Sequence, residues 1–119
     1  MLLHICGVDD WRDAEGDYRP PGFETDGFIH LSRADQVLRP ANRFYAGRDD
    51  LVLLVIDERR VHGELRWEPS AVPEEAGERF PHLYGSVPVE AVVDQVAFPP
   101  GPDGLFALPP GVAHLLHGG

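Results

Sequence analysis

The chain has 119 residues and a single cysteine, Cys6, so it fits one compact domain and can form no internal disulfide. Its net charge of −10 comes with ten arginines and no lysine, which disfavours a nucleic-acid partner and excludes Schiff-base chemistry on a lysine side chain. The longest apolar run, residues 51–56, is far short of the roughly 20 residues needed to cross a bilayer, and no basic signal-peptide start is visible, so a cytoplasmic protein without a membrane partner is expected.

Residues 2–6 read as a short apolar strand carrying His4. Residues 8–15 read as a helix: Asp9 and Asp10 suit its first turn, Gly16 its end, and Val8, Trp11 and Ala14 fall at helical spacing, which assigns Trp11 to the core. Residues 18–25, with Pro20-Pro21-Gly22, read as an irregular loop. The stretch 26–32 is the centre of the chain. Gly27 lets the backbone turn, and Phe28, Ile29 and Leu31 favour a strand. Ser32 has the side chain of a helix N-cap, with Asp35 in the first turn beyond it. His30 stands at that junction. Residues 33–45 are helical in pattern, with Val37, Ala41, Phe44 and Tyr45 on one face; Pro40 predicts a kink or break near 37–39, and Gly47 a stop.

Residues 51–57 form a continuous apolar run, the mark of a strand buried on both faces. A turn over 57–61 leads to 64–68, which alternate: Leu65 and Trp67 on one face, Glu64, Arg66 and Glu68 on the other, with Pro69 closing the strand. Residues 70–78 read as a mobile polar loop, 80–84 as a strand ended by Gly85, 87–91 as a helical turn, and 92–98 as a strand. Asp103-Gly104 signals a turn before an edge strand over 105–108, and 113–119 are expected to fray. The sum is an α+β fold of about six or seven strands, with two helices in the N-terminal half. It forms one domain over 1–109 with a tail at 110–119.

Three strands each carry one histidine: His4, His30 and His82. Strand alternation sets His4 with Leu2 and Cys6, His30 with Phe28, and His82 with Phe80 and Tyr84. Converging faces of this kind make an apolar cleft with a few polar groups, as small-molecule sites are built; the alternative is three separate, hydrogen-bonded core histidines. Three imidazoles are also a known zinc set, but the spacings match no metal motif. Cys6 inside a strand reads as an inert thiol, and no nucleophile-elbow or phosphate-cradling loop is present. Glu68 is the best candidate for an active carboxylate, against the alternative of a surface Arg–Glu ladder. Tyr45 and Tyr84 are rings that can stack on a planar ligand.

Leu3-His4-Ile5, Gly27-Phe28-Ile29-His30-Leu31-Ser32, Ala41-Asn42-Arg43-Phe44-Tyr45, the run 51–57, Arg66-Trp67-Glu68 and Phe80-Pro81-His82-Leu83-Tyr84-Gly85 follow one another in this order. Together they resemble the small bacterial family called domain of unknown function 952, over residues 2–109, with Pro40 as the departure. That family is similar to the ADP-ribosyltransferase superfamily, which includes RNA 2′-phosphotransferases. The resemblance implies a split, strongly bent mixed β-sheet around a nicotinamide-nucleotide cleft. His4 and His30 then match a ribose-contacting histidine and a later aromatic or histidine position, while His82 lies near the place of the usual catalytic glutamate. NAD or a related nucleotide is the implied ligand, and transfer or hydrolysis of ADP-ribose the implied activity. His30, His82 and Glu68 would carry the chemistry, and His4, Ser32, Arg43, Tyr45, Trp67 and Tyr84 the binding. The alternatives are a non-catalytic module binding a small ligand or a protein, and a metal-dependent hydrolase using the three histidines.

Overall fold

The computed structural model describes residues 1–70, 72 and 77–117, and of His117 the backbone only. In chain order the elements are β1 (Leu2–Gly7), α1 (Val8–Arg12), β2 (Asp17–Tyr18), α2 (Phe23–Asp26), β3 (Ile29–His30), α3 (Leu38–Phe44), β4 (Leu51–Ile56), β5 (His62–Pro69), β6 (Arg79–Pro88) and β7 (Val92–Ala97). Two 3₁₀ segments, Val89–Ala91 and Pro110–His117, complete the described structure. Most of the expected loop over 70–78 lies outside the described residues. No described helix is long and apolar enough to cross a membrane.

Two sheets result, ordered β1-β4-β7 and β2-β6-β3, with β5 along β6. Every described pairing is antiparallel, which corrects the expected mixed sheet. Only β5 and β6 follow one another and double back; the other pairs join strands distant in the chain, each running opposite to its neighbour. The sheets meet where Leu3 and Ser32 exchange backbone hydrogen bonds of 2.7 and 2.9 Å. Ser32 therefore belongs to a bridge and is no helix cap; α3 starts after Val37 without a side-chain cap.

The run Leu51–Ile56 is buried at every position because β4 is covered on both faces. Val52, Leu54 and Ile56 join Leu2, Cys6, Tyr18, Ile29, Leu83 and Val87 in a core shared with the second sheet. Leu51, Leu53 and Val55 pack instead with Val37 and Ala41 of the α3 region and with Phe98, Phe106 and Val112. Pro40 sits in the first turn of α3, where its missing N–H has no partner to lose, so the expected long helix shortens to Leu38–Phe44.

Further expectations need correction. Tyr18 is buried in a strand and is no loop residue. Residues 105–108 form no strand: Phe106 stacks on Phe98 at 4.6 Å, and Asn42 holds its backbone, with Phe106 N–H donating to Asn42 Oδ1 at 2.6 Å. Fraying is expected over 113–119, but a 3₁₀ segment runs over Pro110–His117 with Val112 fully buried in the second core; residues 118 and 119 lie outside the described residues. Trp11, expected in the core, is half-buried against it, its ring 5.9 Å from that of Tyr18.

Gly85 does not end its strand. It faces Gly63 in the β5–β6 register, and this pair lets the two backbones close up. A Cβ at Gly85 would collide with the His62 carbonyl oxygen, and one at Gly63 with the Tyr84 carbonyl oxygen. Gly85→Ala is therefore expected to lower the unfolding free energy by about 3 kcal/mol, read from urea midpoints. Gly77→Ala, where a Cβ meets no described atom within 4 Å, should change it by about 0.5 kcal/mol or less.

Candidate functional site

His30 and His82 are direct partners in the β3–β6 register, so their side chains share one face of the sheet. Their ring centroids lie 5.5 Å apart at 70°. Phe28 sits between the rings of this face: it stacks on His82 at 4.1 Å and 20°, and stands 4.7 Å from His30 and 5.3 Å from Tyr84. On β5, residue parity sends Glu68 to this face and Trp67 to the other. Glu68 reaches His82 diagonally across the strands.

Two cavities flank this face, of about 570 Å³ and about 450 Å³. They share a wall of Phe28, His30, Ser32, Pro40 and Phe44, so they are two lobes of one cleft. The first lobe adds His4, Cys6, Asp10, Tyr18, Asp26, Tyr45 and Arg48. The second adds Glu68, Phe80, His82 and Tyr84.

In the first lobe a buried hydrogen-bond chain has a fixed direction. His4 Nδ1 lies 2.8 Å from the His30 carbonyl oxygen, which can only accept, so Nδ1 carries the proton. Burial above all pushes the His4 pKa down to about 4, so the ring is neutral at neutral pH. Nε2 then accepts from the Tyr18 hydroxyl at 3.1 Å. The Cys6 thiol can donate to the Tyr18 oxygen at 3.1 Å or to the Gly7 carbonyl at 3.2 Å. Burial raises the Cys6 and Tyr18 pKa values, which keeps both groups protonated and the thiol a poor nucleophile. His4 therefore has no free ring nitrogen to offer a ligand. Arg48 is held bidentately by Asp50 at 2.9 and 2.8 Å.

The second lobe holds the Glu68–His82 pair, and the His30–Asp26 pair joins the wall shared by both lobes to the first, which Asp26 lines. Glu68 Oε1 receives the Tyr84 hydroxyl at 2.5 Å and His82 Nδ1–H at 2.9 Å. The Tyr84 bond foremost, then the His82 bond, holds the Glu68 carboxyl below its ordinary range; the same bond pushes the Tyr84 phenol up. Burial pushes His82 below the ordinary imidazole value, against the opposing pull of Glu68. With Nδ1–H given to Glu68, His82 Nε2 keeps its lone pair and no described residue engages it. Across Phe28, His30 Nε2 lies 3.0 Å from Asp26 Oδ2, on a side chain far more exposed than that of His82. Chemically, the face offers a neutral base oriented by a carboxylate, a second imidazole 5.5 Å away, and aromatic rings to stack a planar ligand.

Of the residues singled out in the sequence, His30, His82, Glu68, Tyr84 and Ser32 meet around the second lobe. His4 and Tyr45 line the first with His30 and Ser32. Arg43 and Trp67 line neither; Trp67 is 40% exposed, with the Arg33 guanidinium 5.4 Å from its ring centroid. Among the described residues no group of three His, Cys, Asp or Glu side chains is placed to hold a metal ion, so His4, His30 and His82 do not come together as such a set. The sequence assigned no site role to Asp26 or Tyr18; it set Phe28 only on the face of His30 and Phe44 only on the apolar face of a helix. Asp26 had a usable signal, standing four residues before His30 across a left-handed glycine, Gly27 at φ 80°.

The buried His4 ring makes stability depend on pH. The unfolded chain takes up the His4 proton near 6.5, the folded chain only near pH about 4, so unfolding is favoured as pH falls between them. This contribution, about 3 kcal/mol, is complete above 6.5 and lost toward 4. Denaturant titrations over this window should show a flatter pH dependence for His4→Asn than for the natural chain.

A crystal structure of protein CC0527 from Caulobacter crescentus is similar, at 30% identity, TM-score 0.80 and 97% coverage of both chains. The solution NMR structure of CC0527 is similar at 31% identity and TM-score 0.73, covering 96% of this chain and 95% of that one. No curated protein matches. The family model described as Protein of unknown function (DUF952) matches residues 5–95, which takes in the end of β1 from Ile5, both carboxylate–histidine pairs and the Phe28 hub. The chain belongs to the DUF952 family.

Proposed function

We propose that this chain is a cytoplasmic enzyme of ADP-ribosyltransferase-like fold that binds NAD or a related nucleotide in the two-lobed cleft and transfers or hydrolyses its ADP-ribosyl group. The observation that supports it is the Glu68–His82 pair beside His30–Asp26, with His82 Nε2 engaged by no described residue. Cleavage of the nicotinamide–ribose bond sends the bonding electrons to nicotinamide, which leaves neutral. An oxocarbenium-like ribose remains, as in glycoside hydrolysis. Water or an acceptor hydroxyl then forms the new C–O bond at the ribose carbon and gives its proton to His82 Nε2. Glu68 stabilises the resulting imidazolium, in the manner of a carboxylate-oriented histidine base. Aromatic walls and exclusion of water supply the rest.

A second reading, a binding module without turnover, is favoured by His4. Its resemblance-implied contact with a ribose has no free nitrogen to make it.

Incubation of the chain with NAD should release nicotinamide, separable by chromatography. His82→Ala should slow release by about a hundredfold. His30→Ala should lose nucleotide binding in calorimetry while the melting transition persists. Saturable heat without product selects the binding module. The absence of heat with NAD, ADP-ribose and 2′-phosphorylated RNA overturns the nucleotide-enzyme reading.

A further inference from the structure

Charge lines this cleft unevenly. Asp10, Asp26 and Glu68 contribute carboxylates to its walls. Arg48 is the one arginine among the described lining residues, and both its Nε and Nη2 are bound to Asp50. Residues 71, 73–76, 118 and 119 contain no arginine or lysine that could add a cation. His4 is neutral and its ring nitrogens are engaged, and burial also biases His82 to the neutral form. A ligand diphosphate would thus enter a pocket whose only formal cation is already neutralised, in a chain of net charge −10.

The aromatic surface has the opposite preference. Phe44 stands on the wall between the lobes, 65% exposed, and no described ring or guanidinium packs on it. Its face is open to a cation or a flat ring. A positively charged planar group against an aromatic face, with carboxylates in reach, is favourable electrostatically and by stacking. The nearly buried His82 directs no donor into the second lobe, since its proton points to Glu68 and Nε2 presents a lone pair. Anionic oxygens would find no partner there.

We infer that the cleft selects its ligand by positive charge, and that the recognised group is a cationic N-ribosyl heterocycle of the pyridinium nucleoside class, for which a diphosphate is dispensable. This rests on the proposed nucleotide-binding role of the cleft and narrows it to one end of the ligand. Asp26 and Glu68 supply the counter-charge, Phe44 the ring face.

Calorimetry on the full chain with four probes tests it: nicotinamide riboside, NAD, NADH and ADP-ribose. NAD and NADH differ in the charge of the nicotinamide ring while sharing the diphosphate. Nicotinamide riboside should bind at least as tightly as NAD, and NADH and ADP-ribose about tenfold more weakly or worse. Added salt should weaken riboside binding, because attraction between the cation and the acidic cleft is screened. Phe44→Ala and Glu68→Gln should each weaken the riboside several-fold; Phe44 is exposed enough that its removal leaves the melting transition in place. ADP-ribose or NADH binding as tightly as NAD overturns the charge-selection inference and leaves a nucleotide site standing. Silence from all four probes overturns the inference together with the nucleotide reading.

Discussion

Two backbone hydrogen bonds between Leu3 and Ser32 fasten one sheet of this protein to the other. The segment around them serves both sheets within a few residues: Ile29 and His30 pair with β6, Leu31 N–H donates to the Pro81 carbonyl, and Ser32 closes on β1. Because the chain changes partner there, His4 of β1 can donate to the carbonyl of His30, and the lobes on either side acquire a common wall. An antiparallel strand can satisfy only one neighbour along each edge. A four-residue stretch divided between two neighbours leaves a gap beside it, and the cleft occupies that gap.

The histidines show how one residue type is given different work by its surroundings. His4 is a structural connector: buried, neutral, proton fixed on Nδ1. His82 is buried too, but a carboxylate holds its proton on the side away from its open nitrogen. His30 is exposed and paired with a short-range acid. Phe28 keeps the last two at a fixed separation, since a stacked ring leaves little freedom to either neighbour.

Much of this was legible in the sequence where a local pattern has a single physical solution. The run Leu51–Ile56 has no polar face, so it had to lie between two layers. The alternation through Glu64 to Glu68 assigned Glu68 and Trp67 to opposite faces, and the register shows why only one reaches the cleft. What escaped was set by partners distant in the chain. Gly85 looks like a terminator until Gly63 is seen across from it. Ser32 has the chemistry of a cap, yet its backbone is claimed by Leu3. A tail dense in proline and glycine gives no periodic signal that Val112 is buried, because its environment is made by Phe98 and Phe106. The three histidine strands announced a site, whereas the directed chain through Tyr18 rests on a two-residue strand too short to leave a pattern.

Helix α3 touches two things at once. Pro40 and Phe44 form part of the cleft wall, while Ala41 lies in the core beside Phe106 and Asn42 clasps the Phe106 backbone. The helix is only seven residues long, about two turns, so it moves as a rigid peg. The two jobs are joined: a disturbance that loosens Phe106 and Val112 reaches the rim of the cleft through Asn42 to Phe44, and also through Leu3 and Tyr45, which pack in the same core and line the first lobe.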